Sequence, residues 1–387
     1  MSRIGGETVA DPRPARRNGD LRRLGSGWRR STGRAGRAWS GLPVPVKAVA
    51  VIAVYLILAV LVPSGPVARV MAPQSGWSNV LSEEIGVYVL MAIGLNVVVG
   101  QAGMLDLGYV AFFAVGGYSI GILTTHDHLD FWLILPIGIV AAALAGLLLG
   151  APTLRLRGDY LAIVTLGFGL IISQAATNLN FDGGAQGISG IPHPPSIGHI
   201  NAFTYGVTDF KPYWYLVLAG IFVAIWVVRR LERSRVGRAW MAIREDEDVA
   251  ELMGVPTYRM RLWAFAIGAA VGGAGGVFFA TQANHIDPTL FSYQVSILVV
   301  AAVVLGGSGN LPGVILGAFM VVWLPERFRG FEKYRILVFG IALVVMMIFR
   351  PEGLLPSRRR RAELGDTGSG GGMGAPLVPP ALEEAEA

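Results

Sequence analysis

The stretch Phe131-Trp-Leu-Ile-Leu-Pro-Ile-Gly-Ile-Val-Ala-Ala-Ala-Leu-Ala-Gly-Leu-Leu-Leu-Gly150 contains no charged residue. A helix of about 20 apolar residues crosses the hydrocarbon of a bilayer, so this segment predicts a membrane span. Gly138, Ala142, Gly146 and Gly150 recur at every fourth position. Small residues so spaced let helix backbones approach closely. Packing within one subunit is the simpler reading of such a stripe, a dimer interface the alternative.

Working outward with the same ruler of about 20 residues per span locates about ten spans. They lie near 44–63, 83–99, 107–124, 131–150, 159–177, 213–228, 262–281, 293–306, 311–325 and 334–349. The eighth and ninth are short enough for one of them to be partial or re-entrant. Similar stripes run through Gly268, Gly272 and Gly276 and through Gly313 and Gly317. The 387 residues are 53% hydrophobic and only 15% charged, against about 25% charged in soluble domains. The expected fold class is all-α, a polytopic transmembrane helix bundle over 47–350. Residues 1–46, rich in Arg, Gly, Ser and Pro, and 351–387, Gly- and Pro-rich with an acidic end, read as disordered tails. A cleaved signal peptide is not expected, because the basic segment is long and the apolar run after it continues into a span.

The formal charge of +6 is carried almost entirely by arginine, with lysine only at 47, 211 and 333. The arginines flank apolar runs, which suits membrane orientation and argues against a nucleic-acid face. Arg155 and Arg157, the cluster Arg229, Arg230, Arg233, Arg235, Arg238 and Arg244, and Arg358 to Arg361 fall on one side if the span number is even. That side is cytoplasmic by the arginine bias and then holds both termini. The loop with Arg327, Arg329 and Lys333 disagrees, partly offset by Glu326 and Glu332.

Several chemistries are absent from the sequence. There is no cysteine and no G-x-x-x-x-G-K-[ST] loop, so the chain does not hydrolyse ATP through a P-loop. His126, His128, His193, His199 and His285 show no metal spacing. No catalytic residue, metal or cofactor is expected. Intramembrane acids, which proton-driven carriers keep facing a cavity, are scarce. Asp106 is the one candidate, and it reads more simply as a cap on the next helix.

The segment 94–121, Gly-Leu-Asn-Val-Val-Val-Gly-Gln-Ala-Gly-Met-Leu-Asp-Leu-Gly-Tyr-Val-Ala-Phe-Phe-Ala-Val-Gly-Gly-Tyr-Ser-Ile-Gly, is broken by glycines and punctuated by Asn96, Gln101, Tyr109 and Tyr118. Irregular backbone at membrane depth is tolerated where protein buries it or where it lines a cavity. These four residues are candidates for the solute path; a turn between packed spans is the other reading. The long loop 178–212 carries Asp182-Gly-Gly-Ala-Gln-Gly-Ile-Ser-Gly190, a flexible loop or a docking and gating surface.

Segment 229–260 places Ala239, Met241, Ala242, Val249, Ala250, Leu252 and Met253 at helical spacing amid mixed charge. Such an amphipathic helix lies on the membrane surface or docks in a partner's groove. Here a resemblance enters. Ser234-Arg-Val-Gly-Arg-Ala, Ile243-Arg-Glu-Asp-Glu, Ala250-Glu-Leu-Met-Gly254 and Ala264-Phe-Ala-Ile-Gly are similar to motifs of the permease subunits of branched-chain amino acid ABC importers. So are the segments starting at Gly94 and Ala111, Gly158-Asp-Tyr-Leu-Ala-Ile-Val-Thr-Leu-Gly167, and Val304-Leu-Gly-Gly-Ser-Gly-Asn-Leu-Pro-Gly-Val-Ile-Leu-Gly317. The resemblance covers roughly 80–350.

It implies a multi-pass subunit of the bacterial plasma (inner) membrane. It also implies a homologous permease partner, ATP-binding subunits that bind the ATP inside, and a substrate-binding protein outside. Asp248-Val-Ala-Glu-Leu-Met-Gly254 is identified by it as a variant of the importers' coupling loop, usually E-A-A-x-x-x-G; the Asp-Val-Ala opening departs from that pattern. Arg244, Glu245, Asp248, Ala250 and Gly254 are thereby expected to couple to the ATPase. Branched-chain amino acids are the expected cargo, urea or short amides the alternative, and a carrier working alone a third reading.

Overall fold

The computed structural model describes residues 55–60, 62–63, 76–125, 127, 129–153, 159–178, 183–195, 205, 210–327, 337, 340–341, 344 and 353–355. The expected tails, apart from 353–355, lie outside the described residues. So do most of the first and tenth expected spans, and His126, His128 and His199. Two compact units divide the chain at Val60 and Leu61. In the first, residues 55–60 are helical.

The second unit is built of helices: α1 (Trp77–Gln101), α2 (Val110–Thr125), α3 (Phe131–Thr153), α4 (Asp159–Asn178), α5 (Lys211–Glu232), α6 (Arg235–Glu245), α7 (Glu247–Leu252), α8 (Thr257–Ala283), α9 (Tyr293–Gly306) and α10 (Leu311–Arg327). Every expected span from the second to the ninth is a helix. Among the described residues, α1, α3, α4, α5 and α8 are long and apolar enough to cross a membrane. α2 and α9 are shorter, at 16 and 14 residues. In lipid, a helix satisfies its backbone internally. Hydroxyls in these helices do the same: those of Thr124, Thr125 and Thr153 donate to carbonyls four residues earlier.

Burial separates centre from rim. The most apolar window of α1 is 78% buried within the chain, that of α4 only 28%. α8 is central because its glycines let other backbones touch it. A Cβ at Gly276 stands 2.0 Å from the carbonyl oxygen of Phe113 on α2, and one at Gly116 on α2 stands 2.1 Å from that of Gly273. On its other flank a Cβ at Gly146 of α3 meets Ala269 at 2.6 Å, and one at Gly273 meets Ala142 at 2.3 Å. α9 and α10 meet the same way, with a Cβ at Gly317 2.1 Å from the Ala302 carbonyl oxygen. The small-residue stripes therefore serve packing within the chain.

α1 has two π-helical stretches, Val80–Gly86 and Asn96–Gln101. Such wide turns in a helix frequently mark functional positions. At its first end, Gln282 Nε2 of α8 donates to Ser82 Oγ at 2.7 Å and to Asn79 Oδ1 at 3.1 Å.

The molecule has an arginine-rich end, where α5, α6, α7 and the start of α8 meet, and an opposite end. At the opposite end part of the expected flexible loop is fixed. Strand β1 (Ile188–Ser189) pairs antiparallel with β2 (His285–Ile286), after Asn284 turns the chain at φ 57. Ile188, Ile191 and Ile286 close over Gly121 of α2, and His193 is hydrogen-bonded to the Tyr213 hydroxyl. Apolar isoleucines between the glycines of this loop are the physical reason: they have a hydrophobic seat to fill.

Candidate functional site: two helix breaks and a helical elbow

The first break follows α1. The π-helical end closes with Ala102 N–H donating to the Val97 carbonyl and Met104 N–H to that of Val98. Gly103 then reverses the chain at φ 74, a left-handed conformation that glycine adopts without steric cost. Residues 103–109 return into the bundle as non-helical backbone. α2 begins inside it, because Val110 N–H is held 2.9 Å from Ser296 Oγ. Ser296 precedes the end of α9 by ten residues, roughly 15 Å of helix. The span expected at 107–124 is thus a partial span entered through a re-entrant segment.

The polar residues of this stretch hold the break together. Asn96 is fully buried, and its Oδ1 accepts from Gly309 N–H at 2.8 Å. Gln101 Nε2 donates to Glu232 Oε1 at the end of α5, 2.7 Å away. Tyr109 is fully buried and donates to the Gly268 carbonyl at 2.7 Å. Tyr118 lies inside α2, buried against Phe291 at 5.3 Å between ring centroids. The structure brings Asn96, Gln101 and Tyr109 to one break and leaves Tyr118 farther along α2.

Asp106 differs from expectation. It does not cap α2, which starts at Val110. Its Oδ1 accepts from Gly108 N–H at 2.9 Å, a local turn two residues on. Leu107 N–H is taken by Thr165 Oγ1 of α4 at 3.1 Å. The re-entrant backbone has no neighbouring turn to bond with, so side chains satisfy it.

The second break joins α9 to α10 at Gly307-Ser-Gly-Asn310. Gly307 and Gly309 have φ 103 and 84. Asn310 Nδ2 donates to the Leu355 carbonyl at 2.7 Å. Asn96 ties this break to the first.

The amphipathic segment is an elbow of two helices, where the apolar spacing within 229–260 predicted one amphipathic helix. Asp246 is extended (φ −157, ψ 119) and its side chain caps α7 by accepting from Val249 N–H at 3.0 Å. An aspartate prefers this capping role to a helix interior. Ser234 caps α6 in the same way, at 3.4 Å from Gly237 N. The elbow is mounted on α8: buried Trp240 donates to the Met260 carbonyl at 2.7 Å, and Glu247 is paired with Arg261.

α7 ends at Gly254, φ 84. Gly254 N–H bonds the Glu251 carbonyl at 2.9 Å and Val255 N–H that of Ala250 at 3.0 Å, the paired closure typical of a glycine-ended helix. Nothing lies within 4 Å of a Cβ placed on Gly254. Ala250 is buried in its own chain, at 4% exposure. Val249, Leu252 and Met253 stand out at 54%, 86% and 80%, with Glu245 and Asp248 exposed beside them.

Known proteins resemble this sequence. The family described as "Branched-chain amino acid transport system / permease component" matches residues 81–349. The chain belongs to that family. It is a multi-pass membrane permease. The high-affinity branched-chain amino acid transport system permease protein LivM of Escherichia coli (strain K12) is 42% identical over 296 residues, covering 72% of this chain and 70% of that one. A probable branched-chain amino acid transport permease protein LivM of Methanocaldococcus jannaschii is 26% identical over 329 residues, 70% and 91% of the two chains. The permease protein BraD of Pseudomonas aeruginosa is 27% identical over 292 residues, 69% and 91%. No solved structure matches the chain.

In this permease the large apolar residues most exposed on the elbow, Leu252 and Met253, were seen in the sequence only as part of an apolar stripe. Their outward direction follows from the break at Asp246, which resets the helical phase between α6 and α7.

Proposed function

We propose that this permease forms half of the transmembrane pathway of an ATP-driven importer of branched-chain amino acids. A homologous permease supplies the other half, and separate subunits bind and hydrolyse ATP. An extracytoplasmic binding protein delivers the amino acid. The protein sits in the plasma membrane with about ten spans and both termini in the cytoplasm, by the count of about 20 residues per span and the arginine bias. The observation that carries the reading is the elbow at the arginine-rich end, with three apolar side chains exposed at its tip. Apolar groups in water, rimmed by charge, mark a docking surface, and relatives named as branched-chain amino acid permeases supply the cargo. The re-entrant segment and the Gly307–Asn310 break border the solute path. Asn96, Gln101 and Tyr109 hold that border, and Tyr118 flanks it in α2.

The double substitution Leu252→Asp with Met253→Asp tests the docking. Interface centres lose most affinity on losing buried apolar anchors, so co-purification of the ATPase subunits is expected to fall by about tenfold or more, with normal membrane insertion. Unchanged co-purification and unchanged leucine uptake overturn the docking. Labelled leucine uptake in membranes is expected to be competed by isoleucine and valine and not by urea; competition by urea assigns the other cargo. A reporter active only outside the cytoplasm, fused to either end, is expected to be silent.

A further inference from the structure

Arg244 is at the end of α6, beside the exposed tip; the residue is itself exposed, but its side chain reaches across to the end of α1. Its guanidinium Nη1 donates to the Gly100 carbonyl. That carbonyl is at the C-terminal end of α1, where helix oxygens lack an intrahelical partner and the dipole favours a cation. The aliphatic stem crosses Gly103, whose Cβ, if present, would be 2.8 Å from Arg244 Cγ. The head also fills the corner at Gly309, where a Cβ would be 2.8 Å from Nη1 and 3.0 Å from the Gly100 oxygen. Gly103 is the left-handed residue of the first break, and Gly309, with Gly307, one of the two positive-φ glycines of the second. One side chain of the elbow therefore touches the turning point of each.

We infer that Arg244 is the positioning residue through which the elbow α6–α7 sets the two helix breaks, so that displacement of the elbow opens or closes the solute path at the arginine-rich end. The inference rests on the docking of an ATPase at Leu252 and Met253. It adds a direction for the force. The elbow is joined to α8 through Trp240 and Arg261, and it reaches α1 and the α9–α10 break through Arg244. Both breaks turn on glycines, whose backbones swing with little steric cost. A planar, always charged guanidinium holds a carbonyl while its stem packs on a glycine; a short, uncharged side chain does neither.

The test uses the assembled importer and a thiol probe at Leu105→Cys, on the re-entrant segment, in a chain with no native cysteine. Labelling is compared without nucleotide and with ATP trapped by vanadate. With Arg244 present, labelling is expected to differ between the two states. In Arg244→Ala the ATPase subunits are expected to co-purify as before and labelling to become equal in both states. Leucine uptake should fall by about tenfold or more, the worth of a hydrogen bond made by a charged group. Arg244→Lys, which keeps the cation and most of the stem, should recover part of the uptake and of the state dependence. State-dependent labelling and full uptake in Arg244→Ala overturn the inference, as does equal labelling in both states when Arg244 is present. Loss of the ATPase subunits from Arg244→Ala also overturns it, making Arg244 a docking contact and leaving the docking reading intact. Retention of the subunits by the Leu252, Met253 double variant fails the docking reading instead.

Discussion

Gly276→Val is expected to prevent the bundle from forming. The first atom of any side chain at 276 lands 2.0 Å from the Phe113 carbonyl oxygen and 2.7 Å from Gly117 N. Both belong to backbone, so no rotamer change relieves the clash, and α2 must move off α8. α2 cannot move alone, because Gly116 is seated equally closely on Gly273. Overpacking a well-packed core costs about 1–3 kcal/mol when side chains give way; here helices must separate, so the loss lies at about 3 kcal/mol or above. Monodisperse yield and thermal unfolding in mild detergent measure it. Gly167→Ala is the control, since nothing lies within 4 Å of its Cβ, and a change of about 0.5 kcal/mol or less is expected there. Equal stability of the two variants would contradict the role given to the α2–α8 contact.

Asn96→Leu is expected to leave the protein assembled and to impair transport severely. The substitution preserves approximate size and removes the acceptor of Gly309 N–H, which is half-buried beside Gly100. A buried donor without an acceptor costs about 1–3 kcal/mol. That cost falls on a bond between the two breaks made by α1, so the arrangement of the breaks shifts before the helices do. Uptake normalised to the amount in the membrane is expected to fall about tenfold or more, the equivalent of about 1.4 kcal/mol within that range. Asn96→Ala, which also opens a void, should be worse in stability and no better in uptake. Wild-type uptake by Asn96→Leu would show that the bond between the breaks is dispensable.

Much of the helix layout was legible because lipid imposes one rule, a long uncharged helix for each crossing. Phe131–Thr153 follows it closely, and so does Thr257–Ala283 beyond Arg261. The same rule misplaced the start of α2. An apolar run from Leu107 reads as helix, whereas a left-handed Gly103, the Asp106 turn and Ser296 from α9 hold it non-helical to Tyr109. Two of those three lie in the local sequence, but the third is 186 residues away. The elbow shows a similar division. Its apolar spacing was readable, and its break at Asp246 was missed, since an acidic run looks like a solvated helix face until one carboxylate is seen to cap.

The sequence alone determined that the chain crosses the membrane repeatedly, lacks a P-loop and carries its arginines beside its spans, because these depend on composition and local periodicity. It also determined which residues are polar within apolar surroundings. Only the tertiary structure decided what those residues do. Asn96, Gln101 and Tyr109 find Gly309, Glu232 and Gly268, and Arg244 finds Gly100 across 144 positions. Hydrogen bonds act over about 3 Å, while a chain of this length can bring any two residues that close in many ways. The packing of α8's glycines against α1, α2 and α3 selects the one arrangement in which those partners meet.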